Sequence, residues 1–187
     1  PAEEALLARH APRARRFRAR RVPVALEDLA RSVTMEPKVL DGVEVGMPVR
    51  SARGVVGRIL EVARGSSRVL LLTDSESVLP VRRATDNTVA FAEGRGDGFL
   101  RIRLINLGLN PLEEGDVLVT SGAGGYYRPG VAVAVITELT PDGGIARLMA
   151  DPSATDFVSV EPIYQPAAVE TGQTPQEERI ENEDAAN

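Results

Sequence analysis

The sequence has 187 residues, a formal net charge of −5, no cysteine and only 4% aromatic residues. Without cysteine there are no disulfides, thiolate metal sites or cysteine nucleophiles. The sequence contains no run of 18 or more apolar residues, which is the length needed to span a bilayer. The content of 17 glycines and 13 prolines, with abundant valine, favours an all-β fold of short strands and tight turns.

The N-terminal segment, residues 1–37, is marked by charge. Ala2 to His10 is typical of the last turns of a helix that ends at Pro12. Residues 1–34 contain eight arginines against four acidic residues. Like charges this close resist compact packing, so we predict a helix remnant followed by a solvated Arg-rich linker. The alternative is an electrostatic contact with anionic lipid or an acidic partner.

Residues 38–165 have the pattern of a β region. Leu100, Ile102 and Leu104 alternate with Arg101 and Arg103, which predicts a half-buried strand. Alternating valine and alanine over residues 131–135 suits the two surfaces of a small closed barrel. Further short apolar runs are separated by Asp-Gly, Asp-Asn and Gly-rich turns.

A weak internal repeat predicts that this region has two lobes. Residues 43–49 resemble residues 112–119, and each segment precedes a Gly that opens an apolar strand. We predict two small β-barrel-like lobes, one mainly of residues 38–75 and the other mainly of residues 76–130. Whether residues 131–165 return to the first lobe is left open. Lobes of about 60 residues are marginal alone, so they need a shared interface or a partner. Open barrels would also offer edge strands to a neighbouring chain.

The C-terminal segment, residues 166–187, contains six acidic residues and one arginine. Its apolar content is too low to offset the entropy lost on ordering, so we predict a disordered acidic tail.

Catalytic chemistry is hard to assemble from this sequence. Gly115-Asp116 and Thr120-Ser121-Gly122 resemble the surroundings of a serine nucleophile, and a secreted serine hydrolase on a double β-barrel is the alternative function. The chain has one histidine, His10, and one lysine, Lys38, and neither is placed near Ser121 by any pattern. We expect no enzyme activity, no catalytic residue, and no metal or cofactor site. The acidic body and scarce aromatics argue against nucleic-acid binding.

The most informative loop spans residues 122–130, which hold two of the three tyrosines in a Gly-rich setting. Tyrosine is favoured at interfaces because it buries area while keeping a hydrogen bond. We predict a partner interface there, and the alternative is that a tyrosine covers one barrel end. The candidate interface residues are Tyr126, Tyr127, Arg128 and Pro129.

An ordered set of short segments is similar to the periplasmic region of the MreC family of rod shape-determining proteins. The first half carries Asp41-Gly42-Val43, Gly46-Met47-Pro48-Val49, Gly54-Val55-Val56-Gly57-Arg58-Ile59 and Ser67-Arg68-Val69-Leu70-Leu71-Leu72-Thr73-Asp74. The second half carries Gly115-Asp116-Val117-Leu118-Val119-Thr120-Ser121-Gly122, Gly124-Gly125 and Pro129-Gly130-Val131.

The resemblance implies two β-barrel lobes in the periplasm, anchored in the inner membrane by an N-terminal helix absent from this sequence. It implies a non-enzymatic scaffold of the cell-wall elongation machinery that maintains rod shape. The partners it implies are the elongation-specific class B penicillin-binding protein, MreD, RodA and the actin-like MreB. It also implies self-association as a dimer or filament.

Overall fold

The structure, a computed structural model, describes residues 17–21, 32–36, 42–64, 66–106, 108–155 and 157–173. These residues form twelve strands and one helix, which confirms the all-β class. The strands are arranged in two closed antiparallel barrels of six strands each.

The first barrel is built from both ends of the chain. Its strands follow one another around the barrel in the order β1-β12-β3-β4-β5-β2. Their bounds are β1 (Phe17–Arg21), β2 (Ser32–Glu36), β3 (Pro48–Arg50), β4 (Val55–Ala63), β5 (Ser66–Leu71) and β12 (Phe157–Val160).

The second barrel is built from the middle of the chain, in the order β10-β11-β8-β7-β6-β9. Its strands are β6 (Val78–Arg83), β7 (Val89–Gly94), β8 (Phe99–Leu104), β9 (Val117–Thr120), β10 (Ala132–Thr140) and β11 (Gly143–Leu148). The helix α1 (Pro166–Gln173) follows β12.

Each barrel has an interior of small and aliphatic side chains, as the alternation in the sequence predicts. Leu100, Ile102 and Leu104 all point into the second barrel. The two interiors are linked at the junction, because Val55 of β4 and Leu72 after β5 belong to the core of the second barrel. The lobes therefore stabilise each other through shared apolar packing.

The junction also depends on a close backbone approach. A Cβ on Gly54 would lie 2.4 Å from the carbonyl oxygen of Ala132, at the start of β10. Only a residue without a side chain lets the two barrels come this close at that point.

The N-terminal segment differs from the linker that its charge predicts. Phe17–Arg21 forms β1, which pairs with β12 and β2, and Ser32–Glu36 forms β2, which also pairs with β5. These strands close the first barrel by satisfying backbone groups of β12 and β5. Local charge density gave no sign of pairing partners so distant in the chain. The predicted helix remnant at Ala2 to His10 lies outside the described residues.

The division of residues 131–165 also becomes clear. Strands β10 and β11 belong to the second barrel, and only β12 returns to the first, where Val158 and Val160 enter the core. The segment whose lobe the sequence left open is therefore divided between the barrels, because β9 and β8 provide the pairing edges of β10 and β11.

Closure of both barrels contradicts the expectation of free edge strands. Every strand has a hydrogen-bonded neighbour on both sides. Strand addition by another chain would require an existing pair to open first.

The segment predicted as a disordered tail begins with ordered structure. Pro166–Gln173 forms α1, and Val169 is buried. The reason is a contact invisible in the local sequence: a Cβ on Gly125 would lie 3.2 Å from Cγ2 of Val169. Residues 174–187 lie outside the described part of the chain. Among the residues that the structure describes, no helix has the length and apolar character needed to cross a membrane.

Candidate protein-binding surfaces

The connection between β9 and β10, residues 121–131, is called the tyrosine loop below. Gly122 and Gly124 turn it with φ angles of 88° and 77°, which L side chains rarely adopt. Its two ends are held together by Thr120, whose hydroxyl donates to the carbonyl oxygen of Arg128 at 2.6 Å and accepts from the Val131 N–H at 2.9 Å. The loop is thus a defined structure rather than an open Gly-rich linker.

Tyr127 covers the end of the second barrel. Its side chain is 7% exposed and packs within the core of that barrel. Burial raises the pKa of the Tyr127 hydroxyl well above its ordinary value. Of the two roles left open by the sequence, this geometry fits the barrel cover, because a buried side chain offers no surface to a partner.

Tyr126 lies at the junction of the barrels. A Cβ on Gly46, which precedes β3, would lie 2.9 Å from Cε1 of Tyr126. The Arg58 guanidinium, from β4, is 5.3 Å from the ring centroid. The Tyr126 carbonyl oxygen accepts from the Tyr164 N–H at 3.2 Å. Tyr126 therefore joins the second barrel to three segments of the first-barrel side.

Arg128 and Pro129 are the exposed members of the predicted interface. The Arg128 guanidinium lies 6.0 Å from the centroid of the Tyr164 ring, and Pro129 packs over Gly122. Their contact with a partner stays a prediction.

A second surface is revealed by the phenylalanines. None of the three whose side chains are described belongs to either core: Phe91 is half-buried, and Phe99 and Phe157 are 39% and 50% exposed. Barrels this small have interiors filled by valine, leucine, isoleucine and alanine. These three phenylalanine side chains therefore lie outside both cores, whereas the aromatic side chain of Tyr127 is buried in the second core.

Strand register gathers two of these phenylalanines with arginines on the outside of the second barrel. Along β8, Phe99, Arg101 and Arg103 point outward. Phe91 of β7 lies opposite Arg103, and Arg147 of β11 lies opposite Phe99. This surface is called the Phe–Arg face, and it consists of Phe91, Phe99, Arg101, Arg103 and Arg147.

The Phe–Arg face and its ion-pair partners carry more positive than negative charge, with three arginines against Glu93 and Asp142. Arg103 donates to Glu93 at 2.8 Å and lies 5.3 Å from the Phe91 ring centroid. Arg101 donates to Asp142 at 2.6 Å, and this hydrogen bond lowers the pKa of the Asp142 carboxyl. Arg147 is exposed and forms no ion pair with a carboxylate among the described residues. The face is therefore positively charged in a chain whose net charge is negative.

The sequence did contain a signal for the Phe–Arg face. Phe99 is in phase with Arg101 and Arg103 and out of phase with the apolar positions of the same strand. An aromatic side chain on the polar phase of a half-buried strand predicts an outward-facing ring. The sequence alone could not show that Phe91 lies opposite Arg103 and Arg147 opposite Phe99, because these pairings follow from the strand register.

Serine chemistry finds no support in the geometry around Ser121. Its hydroxyl donates to the Pro80 carbonyl oxygen at 3.1 Å and accepts from the Ala123 N–H at 3.2 Å. His10 and Lys38, the candidate bases, lie outside the described residues. Within the described ranges, no group of three or more His, Cys, Asp or Glu side chains could hold a metal ion.

The fold and its surfaces define a double β-barrel protein with outward-facing groups suited to protein contacts. The profile of the family described as "Rod shape-determining protein MreC, barrel core" matches residues 25–164, and the chain belongs to this family. It is 42% identical over 120 residues to the cell shape-determining protein MreC of Caulobacter vibrioides. That alignment covers 64% of this chain and 34% of the relative, so the chain spans about a third of the relative's length.

Solved structures share the fold. MreC from Pseudomonas aeruginosa is 28% identical with a TM-score of 0.70, over 78% of this chain and 98% of that one. A chain from a complex between Penicillin-Binding Protein (PBP2) and MreC of Helicobacter pylori is 16% identical with a TM-score of 0.59, over 81% of this chain and 99% of that one.

Proposed function

We propose that this chain is the barrel region of a non-enzymatic periplasmic scaffold that binds a class B penicillin-binding protein and so helps to maintain rod cell shape. The observation that carries the proposal is membership of the MreC family over residues 25–164. A chain of the same fold was solved in a complex between a penicillin-binding protein and MreC. Two barrels with outward aromatic and arginine side chains are consistent with recognition of protein surfaces.

The scaffold role extends to further partners. On the family resemblance, these are MreD, RodA and MreB, together with other copies of the chain as a dimer or filament. In the full-length protein, an N-terminal helix would anchor the scaffold in the inner membrane.

The non-enzymatic role is supported by the local geometry of Ser121. A serine nucleophile needs its hydroxyl hydrogen-bonded to a base. Here the hydroxyl proton is directed at the carbonyl oxygen of Pro80, which cannot accept it as a base. No observation favours the serine-hydrolase alternative.

A direct binding measurement tests the proposal. The 187-residue chain is titrated by calorimetry into the periplasmic part of the class B penicillin-binding protein from the same organism. We expect saturable binding with a defined stoichiometry, and no binding to an unrelated β-barrel protein of similar net charge. A penicillin-binding protein that shows no saturable heat, with both proteins folded by circular dichroism, would reject the proposal.

A further inference from the structure

We propose that the acidic C-terminal segment, residues 174–187, docks on two arginines beside the tyrosine loop of its own chain. The arginines are Arg58 and Arg128, and the contact covers the exposed part of that loop. This inference concerns the chain alone and does not rest on the binding of a penicillin-binding protein.

Both arginines lie against a tyrosine ring and lack a carboxylate partner. The guanidinium of Arg58 is 5.3 Å from the ring centroid of Tyr126, and that of Arg128 is 6.0 Å from the ring centroid of Tyr164. A tyrosine ring attracts a cation but carries no negative charge, so each arginine keeps its full charge. Neither arginine takes part in an ion pair among the described residues. A guanidinium presents its N–H donors in a rigid fork that matches a carboxylate, so both arginines are suited to carboxylate ligands.

The segment that follows α1 has the complementary charge. Residues 174–187 contain five acidic residues against one arginine. The carboxylates belong to Glu177, Glu178, Glu181, Glu183 and Asp184. Charge complementarity is therefore present within this one chain, between its last residues and the surface beside the tyrosine loop.

The contacts of α1 bring this segment to the arginines. The Gln165 N–H donates to the Gly125 carbonyl oxygen at 2.8 Å, and a Cβ on Gly125 would lie 3.2 Å from Cγ2 of Val169. Helix α1 ends at Gln173, four residues and about 6 Å along the helix from Val169. Fourteen further residues extend over as much as about 46 Å. The carboxylates can therefore reach arginines whose ring partners lie beside the same tyrosine loop.

The tether favours the chain's own segment over the same segment of a second copy. A short flexible connection holds its free end at an effective concentration on the order of millimolar. Another copy offers the same carboxylates only at its concentration in solution, which is on the order of tens of micromolar in a binding experiment. Exposed ion pairs are individually weak, so this difference decides which segment occupies the arginines.

Docking would shield part of the predicted interface. Arg128 and Pro129 are its exposed members, and Arg128 would be paired with the segment. A partner that uses the tyrosine loop would first have to displace residues 174–187. An acidic partner would compete with them directly for the same guanidinium groups.

The test follows the segment by paramagnetic relaxation enhancement in the 187-residue chain. The chain has no native cysteine, so a spin label at Ala186→Cys is unique. Broadening of backbone amide signals by the label reports which surface the segment visits. It is measured at about 0.1 M and about 1 M salt, between which the screening length falls from about 10 Å to about 3 Å.

Three spin-labelled variants locate the contact. Arg58→Gln with Arg128→Gln removes the proposed site, and Arg64→Gln is its matched control. Arg64 is an exposed arginine without an ion pair among the described residues, and it lies about 20 Å along β4 from Arg58. The third variant removes charge from the segment itself, with Glu177→Gln, Glu178→Gln and Glu181→Gln.

We expect the labelled wild type to broaden the amides of Gly124, Arg128 and Tyr164 at low salt. The arginine double variant and the segment variant should each reduce this broadening about twofold or more, because an exposed ion pair changes such an equilibrium by up to about fivefold. High salt should have the same effect on the wild type. Arg64→Gln should broaden these amides as the wild type does.

The contrary outcomes are distinct. Equal broadening in the wild type, the arginine double variant and the segment variant would overturn the proposal, and so would broadening centred on the Arg-rich residues 1–16. In a mixture, isotope-labelled chains without a spin label detect spin-labelled chains without isotope, and broadening there would place the segment on another copy and also overturn it. If a thermal melt shows that the arginine double variant is destabilised, the segment variant decides, because its substitutions lie outside the strands of both barrels. Every one of these outcomes leaves the proposed function standing.

Discussion

Arg58 on β4 of the first barrel holds its guanidinium 5.3 Å from the ring centroid of Tyr126, in the tyrosine loop of the second barrel. The same loop receives two backbone hydrogen bonds from the chain beyond β12, where Tyr164 donates to Tyr126 and Gln165 donates to Gly125 at 2.8 Å. The orientation of the barrels is thus fixed by side-chain packing and by a strap that runs from β12 to α1. In the scaffold role proposed above, this junction would set the angle between the outer surfaces of the two barrels.

Replacing Tyr126 by alanine should loosen the junction without unfolding either barrel. The change removes the ring that packs against Gly46 and lies under Arg58, a cation–π contact of about 1 kcal/mol. The chain has no native cysteine, so spin labels at Arg68→Cys and Glu138→Cys report the distance between barrels. We expect a broader distance distribution in Tyr126→Ala.

Tyr126→Phe serves as the control for this experiment, because it keeps the ring. Its distance distribution should match that of the wild type. If Tyr126→Ala also gave a narrow distribution, the ring would have no part in setting the angle between the barrels.

Tyr127→Ala should lower the free energy of unfolding, whereas Tyr126→Ala should loosen the junction. The side chain is 7% exposed within the second core, and truncating a buried aromatic side chain costs about 3 kcal/mol or more. Urea unfolding should show a lower free energy of unfolding, whereas Tyr127→Phe should lose much less. A free energy of unfolding that is unchanged in Tyr127→Ala would contradict its role as a barrel cover. The double variant of both tyrosines is unsuitable for testing partner binding, because it also destabilises the fold.

Strands were predicted correctly from the sequence where the residue pattern within a single strand was enough to identify it. The alternation around Leu100 and Ile102 located β8 and its inward face, because a half-buried strand has period two. It failed where the partner is distant: β1 lies in an arginine cluster, and its pairing with β12 joins residues about 140 positions apart, as in Phe17 with Val160. Local charge cannot indicate such a pairing.

The candidate site shows the same limit. The Gly-rich setting of residues 122–130 predicted a loop with two tyrosines, but could not show which tyrosine faces the core. Tyr126 and Tyr127 are adjacent, so their different burial follows from packing against Gly46 and the second core. The Phe–Arg face required the register of three strands to bring its members together.

Gly94→Ala should be strongly destabilising for a purely steric reason. A Cβ there would lie 1.9 Å from the carbonyl oxygen of Asp74, in the turn that connects the first barrel to the second. Because the clash is with backbone, relieving it requires the turn to move, and we expect a loss of about 2 kcal/mol or more. The measurement is the free energy of unfolding in urea.

Gly96→Ala provides the matched control for Gly94→Ala. It has open space around its Cα but a φ of 78°, so its cost is limited to backbone strain of about 1 kcal/mol. Equal losses in the two variants would show that the Asp74 turn yields easily to a methyl group.

Acid stability should depend on Arg83. Its guanidinium donates to both carboxylate oxygens of Asp86 and, at 2.9 Å, to Asp116, which ties the β6–β7 turn to the start of β9. These hydrogen bonds, with that from the Thr88 N–H, hold the pKa of Asp86 well below its ordinary value. A depressed carboxyl pKa in the folded state adds stability above the unfolded pKa of about 3.9, and that stability is lost as the pH falls through the folded value.

Arg83→Gln should therefore raise the Asp86 pKa toward about 3.9 and move the acid-unfolding midpoint to higher pH. Carboxyl chemical shifts followed by NMR measure the first change, and circular dichroism against pH measures the second. Arg68→Gln, which removes only the exposed pair with Glu61, should leave the midpoint unchanged, since exposed ion pairs contribute little. The side chain of Arg83 is 12% exposed, against 53% for Arg68, so water screens the ion pairs of Arg83 less. An acid midpoint in Arg83→Gln equal to that of the wild type would show that this network does not stabilise the second barrel.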